Sequence, residues 1–272
     1  EDLSLLIHQI FWQLAWPAQV HLNLVALLGK KAGDTRCIVI AGTLYRLVLA
    51  LVKPIIRAWD KLNARRDDSA VSGKQPLLET IKRAADLEAA SIKEETAIII
   101  FWDIAKFFDS LNISKLINRA CEMGFPKEIL LLGLQVHRAP RAFKTLGTMT
   151  GPTHRSELSI MAGCTLSTSF ARAYIRPAID GTDLAEGQRA GEPVDDVSLR
   201  TIHESPTTCV VNACRAGVHI AKGFDKGTVS TKTRGVSNKP RLAERTVNHI
   251  RKNGFDTRAS NQADDLGAAT RG

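Results

Sequence analysis

A chain of 272 residues can hold one large domain or two small ones, and 44% apolar with 24% charged residues is the composition of a soluble globular protein. Five scattered cysteines, Cys37, Cys121, Cys164, Cys209 and Cys214, exclude a secreted disulfide framework and fit a reducing compartment. A formal charge of +9 and a pI near 9.5 point to an acidic partner, most often a phosphate backbone.

Taken in order, the first 28 residues are rich in Leu and Trp but are interrupted by His8, Gln9, Gln13, Gln19, His21 and Asn23. No basic leader and no apolar run long enough for a bilayer is present, so an amphipathic packing segment is expected. The chain starts without Met, as a piece of a longer protein would. Asn23 to Leu28 predicts a strand, then a turn from Gly29 to Asp34 carrying Lys30 and Lys31, then Arg36 and a strand from Cys37 to Ala41. Charges at a hairpin tip commonly solvate the turn or protect an edge; they also suit a clamp on a polyphosphate. Leu44 to Trp59 has helical periodicity interrupted at Pro54, and Arg46, Lys53 and Arg57 add to the basic surface. A polar loop follows to Lys74, and Pro76 opens a helix to about Ala90.

Thr96 to Leu111, TAIIIFWDIAKFFDSL, is the most informative stretch. Its unbroken apolar run from Ala97 to Trp102 predicts a strand buried on both faces. The run ends on Asp103, with Lys106 and Asp109 just beyond. A carboxylate at the end of a buried strand is costly unless a cation or donors meet it, although a lone strand-end Asp is more often a helix cap. Ser114 is expected to cap a helix ending at Gly124, and Pro126 to open another lasting to His137. Gly147 to Glu157 reads as a loop, Leu158 to Met161 as a short strand, and Thr168 to Ile179 as a helix. Asp180 to Pro193 reads as a loop before Val194-Asp195-Asp196-Val197, which sets two adjacent carboxylates among β-branched residues. A helix is predicted around Thr207 to Ala216 and a short strand at Gly217 to Ile220; the tail is polar, with one helical stretch from Arg241 to Lys252. Cys209 and Cys214 lie between His203 and His219, but their separation is wider than that of a zinc-finger knuckle.

Together these pieces resemble a reverse transcriptase of the non-LTR retrotransposon and group II intron type, over roughly residues 23–227. LLGKKAGDTRCIVIAGTLYRL is similar to a fingers hairpin with its following helix, and FWDIAKFFDSL to the first catalytic palm motif. IMAGCTLSTSFARAYI is similar to the Gly-containing motif beside template and nucleotide, VDDVS to the double-Asp motif, and GVHIAKGFDKG to the palm segment carrying a Lys. The resemblance implies an α/β (α+β) right-hand polymerase: fingers over 1–95, a ferredoxin-like palm sheet with packed helices over 96–235, a helical insertion at 111–157, and a polar tail over 236–272 with the thumb absent or incomplete. The implied activity is RNA-directed DNA polymerisation in a mobile element, inside the cell in nucleus or cytoplasm. The implied partners are an RNA template, a DNA primer and deoxynucleoside triphosphates, with no membrane.

Nucleotidyl transfer uses two divalent ions about 4 Å apart, and Mg²⁺ prefers hard carboxylate oxygens. The resemblance makes Asp103 and Asp195 the bridges for two Mg²⁺ (or Mn²⁺) ions, with Asp196 beside them and the Ile104 carbonyl as a further ligand. Phe108 stands where a steric gate excludes a ribose 2′-hydroxyl, though an aromatic there also suits a core. Lys30 or Lys31 with Arg36 would hold phosphates, Gly163 would let backbone approach the base pair, and Ser167 would help begin the next helix. Lys226, with Lys222 as its rival, would protonate pyrophosphate. Pro193, Cys37 and Ala162 depart from the family pattern, and Pro weakens the strand expected to present Asp195. A non-polymerising relative that binds nucleic acid is the alternative, and an unrelated basic α/β protein is a third.

Overall fold

The computed structural model describes residues 2–29, 35–145, 147–152, 158–191, 196–224, 229–260, 262–265 and 268–271. Its first elements are helix α1 (Asp2–Gln13), strands β1 (Asn23–Gly29) and β2 (Thr35–Ile40), and helices α2 (Thr43–Asn63) and α3 (Pro76–Ile92). Strand β3 (Thr96–Asp103), helices α4 (Phe107–Ser110), α5 (Ile113–Glu122) and α6 (Lys127–His137), and strands β4 (Arg141–Thr145) and β5 (Thr148–Met149) follow. Then come α7 (Thr165–Asp180), β6 (Gln188–Gly191), β7 (Asp196–His203), α8 (Pro206–Gly223), β8 (Arg234–Ser237), α9 (Pro240–Lys252), β9 (Arg258–Ala259), β10 (Gln262–Asp265) and β11 (Ala268–Arg271). No helix of the described residues is long and apolar enough to cross a membrane.

The chain divides into two compact units, each discontinuous in sequence. The first comprises Glu1–Asn63 and Phe108–Tyr174. Its sheet has the order β2–β1–β4–β5, with β1 and β2 antiparallel as the hairpin pattern predicts. Strand β4 lies parallel to β1, pairing Asn23 with Arg141. Helix α2 buries Tyr45, Val48, Leu49, Val52, Ile56 and Trp59 along one face, while Pro54 sits on the exposed side. Trp59 meets Phe125 edge-on at 4.7 Å, and its indole donates to the Met123 carbonyl at 3.0 Å. The Trp16 indole and the Asn23 amide likewise donate to α6 carbonyls, of Leu132 and Val136. These bonds satisfy polar groups whose burial would otherwise be costly.

The second unit comprises Ala64–Phe107 and Ile175–Gly272, with a sheet of order β6–β7–β3–β8–β9. With α7 between β3 and β6 in sequence and α8 between β7 and β8, the four antiparallel strands follow a β-α-β-β-α-β plan. Strand β3 is central and covered on both faces, as its apolar run predicts; Ile98, Ile99 and Ile100 are all 0% exposed. Ala97 and Ile99 pack with Leu87 and Ala90 of α3, whereas Ile100 and Trp102 turn to the other face, toward α8 and Phe224.

Several local expectations are corrected. Ser114 is not the cap of α5: Asn112 is, its side chain accepting from the Lys115 amide at 2.9 Å. Residues 217–220 form no strand but continue α8, because Cys209, Ala213, Gly217 and Ile220 bury one helical face. Gly217 serves that packing, since a Cβ there would stand 3.0 Å from Ile100 Cδ1 and 3.2 Å from Ile250 Cδ1. Residues 158–161 form a single bridge, Leu158 with Asn112, rather than a strand. The predicted loops contain β5 and β6, and the polar tail contains β8, whose neighbour is β3. These strands are too short and polar to show a periodicity of their own; the ladder across from them supplies their stability. Cys209 and Cys214 are thiols of the α8 core, their pKa values pushed up by burial to about 12 and about 11. Each faces a backbone carbonyl, of Thr96 and of Thr246.

Candidate active site

The apolar ladder of β3 delivers Asp103 to the strand end, half-buried, where it pairs in register with Asp196 of β7. Two acidic positions thus lie across one ladder. Asp195 lies outside the described residues, and Asp196 is described in its backbone. The Asp103 amide donates to Thr233 Oγ1 at 3.2 Å, and its carbonyl accepts from the Ser230 amide at 2.8 Å. Ile104 bridges Val229 antiparallel. The backbone of Asp103 is therefore fixed by the segment entering β8, while its carboxylate has no hydrogen bond or ion pair among the described residues.

Alternation along β3 puts Phe101 and Asp103 on the α3 face of the sheet. Arg83 of α3 stands over the Phe101 ring at 6.0 Å. Farther along that face Arg200 pairs with Asp86, and Lys82 with Glu79 at 2.6 Å. Burial lowers the Arg200 pKa, with Asp67 opposing the shift. These groups line a small polar cavity together with Asp67, Arg83 and Arg189.

The first unit carries a separate arrangement around Gly163. This glycine is exposed, at φ +91°, with open space where a Cβ would be. It lines a cleft of about 620 Å³ with Ile40, Ala41, Tyr45, Arg46 and Met161. Two buried side chains hold Met161: His137 Nδ1 accepts from its amide at 3.2 Å, and the Ser167 hydroxyl donates to its carbonyl. Burial first, then the charge of Arg141, lowers the His137 pKa to about 3, which keeps the acceptor nitrogen unprotonated. Tyr45 OH lies 3.2 Å from Cys164 Sγ, and its pKa is raised well above the usual value by burial and then by Cys164.

Of the predicted residues, the structure brings Asp103 and Asp196 together, and it sets Gly163 in the cleft with Arg46. Ser167 is the third residue of α7, which starts at Thr165 rather than at Thr168, and its hydroxyl supports the turn before that helix. Phe108 is half-buried, its carbonyl accepting from Ile160 N at 2.8 Å. Asp109 acts electrostatically on Arg141. Lys30, Lys31, Lys226 and Asp195 lie outside the described residues; of Arg36 the backbone is described, opposite Leu28. Lys222 is exposed in the last turn of α8. Sequence reasoning missed the supporting roles of His137, Ser230 and Thr233, since a helix-terminal His and two tail hydroxyls carry no local signal of a distant partner.

The fold is similar to that of solved telomerase structures. Among solved structures, the chain is similar to apo telomerase from Candida Tropicalis truncated from its C-terminal domain. The TM-score is 0.58 at 13% identity, covering 94% of this chain and 54% of that one. It is also similar to telomerase from Candida Tropicalis in complex with a TWJ fragment of telomeric RNA. There the TM-score is 0.56 at 14% identity, over 82% of this chain and 42% of that one. The chain thus spans about half the length of these neighbours. No protein-family model matches it, and no curated protein matches it in sequence.

Proposed function

We propose that this chain is an RNA-directed DNA polymerase domain of a mobile element, of the non-LTR retrotransposon or group II intron type. In this reading the β6–β7–β3–β8 sheet is the palm, and the β1–β2 hairpin belongs to the fingers. The observation that carries the reading is Asp103, a half-buried carboxylate with no partner among the described residues, in register with Asp196, the residue that follows Asp195 in the sequence. That donor set fits Mg²⁺, which takes carboxylate oxygens and keeps other positions for water and phosphate. When bound, two such ions would activate the primer 3′-hydroxyl and stabilise the leaving pyrophosphate.

The chain's own residues would then position the reactants. Asp103, Asp195, Asp196 and the Ile104 carbonyl would hold the metals. Lys30 or Lys31 with Arg36 would neutralise the triphosphate. Gly163 would present an open turn to the nascent base pair, Phe108 would exclude a 2′-hydroxyl, and Lys226 would deliver a proton to pyrophosphate. Lys222 remains the rival for that role. The +9 charge supports a phosphate-backbone partner, as does the RNA bound to one structural neighbour.

Primer extension tests the reading, with an RNA template, a DNA primer, deoxynucleotides and Mg²⁺ or Mn²⁺. Extension that disappears in both Asp103→Asn and Asp195→Asn is the expected result. Pro193, immediately before Val194, favours a second reading, a catalytically inactive nucleic-acid-binding relative. Salt-sensitive binding of primer–template without extension would select that one.

A further inference from the structure

We infer that the groove between α8 and α9 is a second nucleic-acid site, one that grips a phosphate backbone without reading bases. The groove encloses about 710 Å³ and is lined by Arg215 of α8 and by Arg241, Glu244, Arg245, His249 and Lys252 of α9. His249 apart, four permanent cations face one carboxylate. Arg241, Arg245 and Lys252 are exposed and form no ion pair among the described residues; Arg215, 56% exposed, has one 3.9 Å contact with Asp183. A helical rise of about 1.5 Å per residue spaces Arg241 from Arg245 by about 6 Å and sets Lys252 about 10 Å farther along. The result is a basic stripe along one helix with a cation across from it.

The lining favours phosphate over an acidic protein helix. Val210 and Cys214 are already buried on the floor, leaving Val211, 57% exposed, as the one large apolar side chain on offer. A docking helix would gain little apolar burial there. Among the described residues no Phe, Tyr or Trp lines the groove, so bases lack a large stacking platform and contacts would be chiefly to the backbone. The groove also lies on the opposite side of the sheet from Asp103. Gly217 of α8 approaches Ile100 and Ile250, on the alternate face of β3 from Asp103. A strand gripped in the groove is therefore not the one at Asp103. The site would hold a distal part of a template or another nucleic-acid segment, and it goes beyond the polymerase reading rather than depending on it.

The test is fluorescence anisotropy of the full chain with two labelled RNA hairpins of unrelated sequence, titrated from about 50 to 200 mM salt. Arg241→Gln/Arg245→Gln/Lys252→Gln should weaken both hairpins equally and make the log–log salt slope shallower by about 2–3, the value for three lost phosphate contacts. Glu244→Gln should tighten both, a gain that damaged folding cannot imitate. An unchanged slope in the triple variant, a loss confined to one hairpin, or no gain in Glu244→Gln would each overturn the inference. Lost extension in Asp103→Asn with this binding retained would separate the groove from the active site. A wild-type chain that fails to extend primers while the slope shift persists would sink the polymerase reading alone.

Discussion

The strand end at Asp103 and the turn at Gly163 are both held by hydrogen bonds to backbone, but the supports differ in kind. Asp103 stands at the end of an eight-residue ladder, and its position follows from register: a slip by one would carry Asp103 to the other face of the sheet, among the apolar side chains that pack there. Ser230 and Thr233 then finish what the ladder has nearly fixed. The Gly163 turn has no ladder. Besides the turn bonds of its own backbone, it has two buried side chains, His137 on the Met161 amide and Ser167 on the Met161 carbonyl. The loss of one side-chain bond should therefore disturb the Gly163 turn more than the strand end.

The largest expected effect probes the ladder. Asp103→Asn should lower primer extension by about 10³-fold, the scale of removing one electrostatic group from a reacting centre. Its unfolding free energy should stay within about 0.5 kcal/mol of wild type, because the lost charge has no partner among the described residues. A matching loss of stability in denaturant titrations would mean that Asp103 is structural.

The pin at His137 should appear as pH dependence. Its folded pKa is about 3 against an ordinary 6.5, so below pH 6.5 the unfolded chain takes up a proton that the folded chain refuses. The stability His137 contributes is complete above 6.5 and is lost progressively as pH falls toward 3, by roughly 1 kcal/mol per pH unit. Unfolding midpoints between about pH 7 and pH 5, above ordinary carboxylate titration, should fall in wild type and flatten in His137→Gln. An equal slope in both would remove the pin from the comparison.

Gly217→Leu tests the helix that covers the ladder. Its side chain would enter space held by Ile100 and Ile250, and overpacking of this kind costs about 1–3 kcal/mol, read as a lower melting temperature. The smallest effect distinguishes two candidate caps of α5. Asn112→Ala should cost about 1 kcal/mol, whereas Ser114→Ala should stay within about 0.5 kcal/mol. The opposite order in chemical denaturation would restore the sequence-based choice.

Where local chemistry is strong, the chain announces its structure. The β3 run, the β1–β2 hairpin, the amphipathic face of α2 and the Pro-initiated helices α3 and α9 all stand where periodicity and caps predict them. The strand-end position of Asp103 was legible for the same reason. The sequence-based reading fails where stability comes from a neighbour far along the chain. Residues 217–220 are β-branched enough to suggest a strand, yet the buried face begun at Cys209 continues through them as helix. β6 and β8 have only four residues each and little apolar content; the exposed edges of β7 and β3 turn them into strands.

The sequence by itself determined which segments bury their apolar faces and which carboxylate ends the central strand, because those follow from side-chain period and transfer free energy along a continuous stretch. Tertiary structure alone decided the pairing of Asp103 with Asp196, the hold of His137 and Ser167 on Met161, and the alignment of Arg215 with the cations of α9. Each joins residues distant in the chain, and the geometry that satisfies a buried polar group or gathers like charges exists only once the backbone has closed around it.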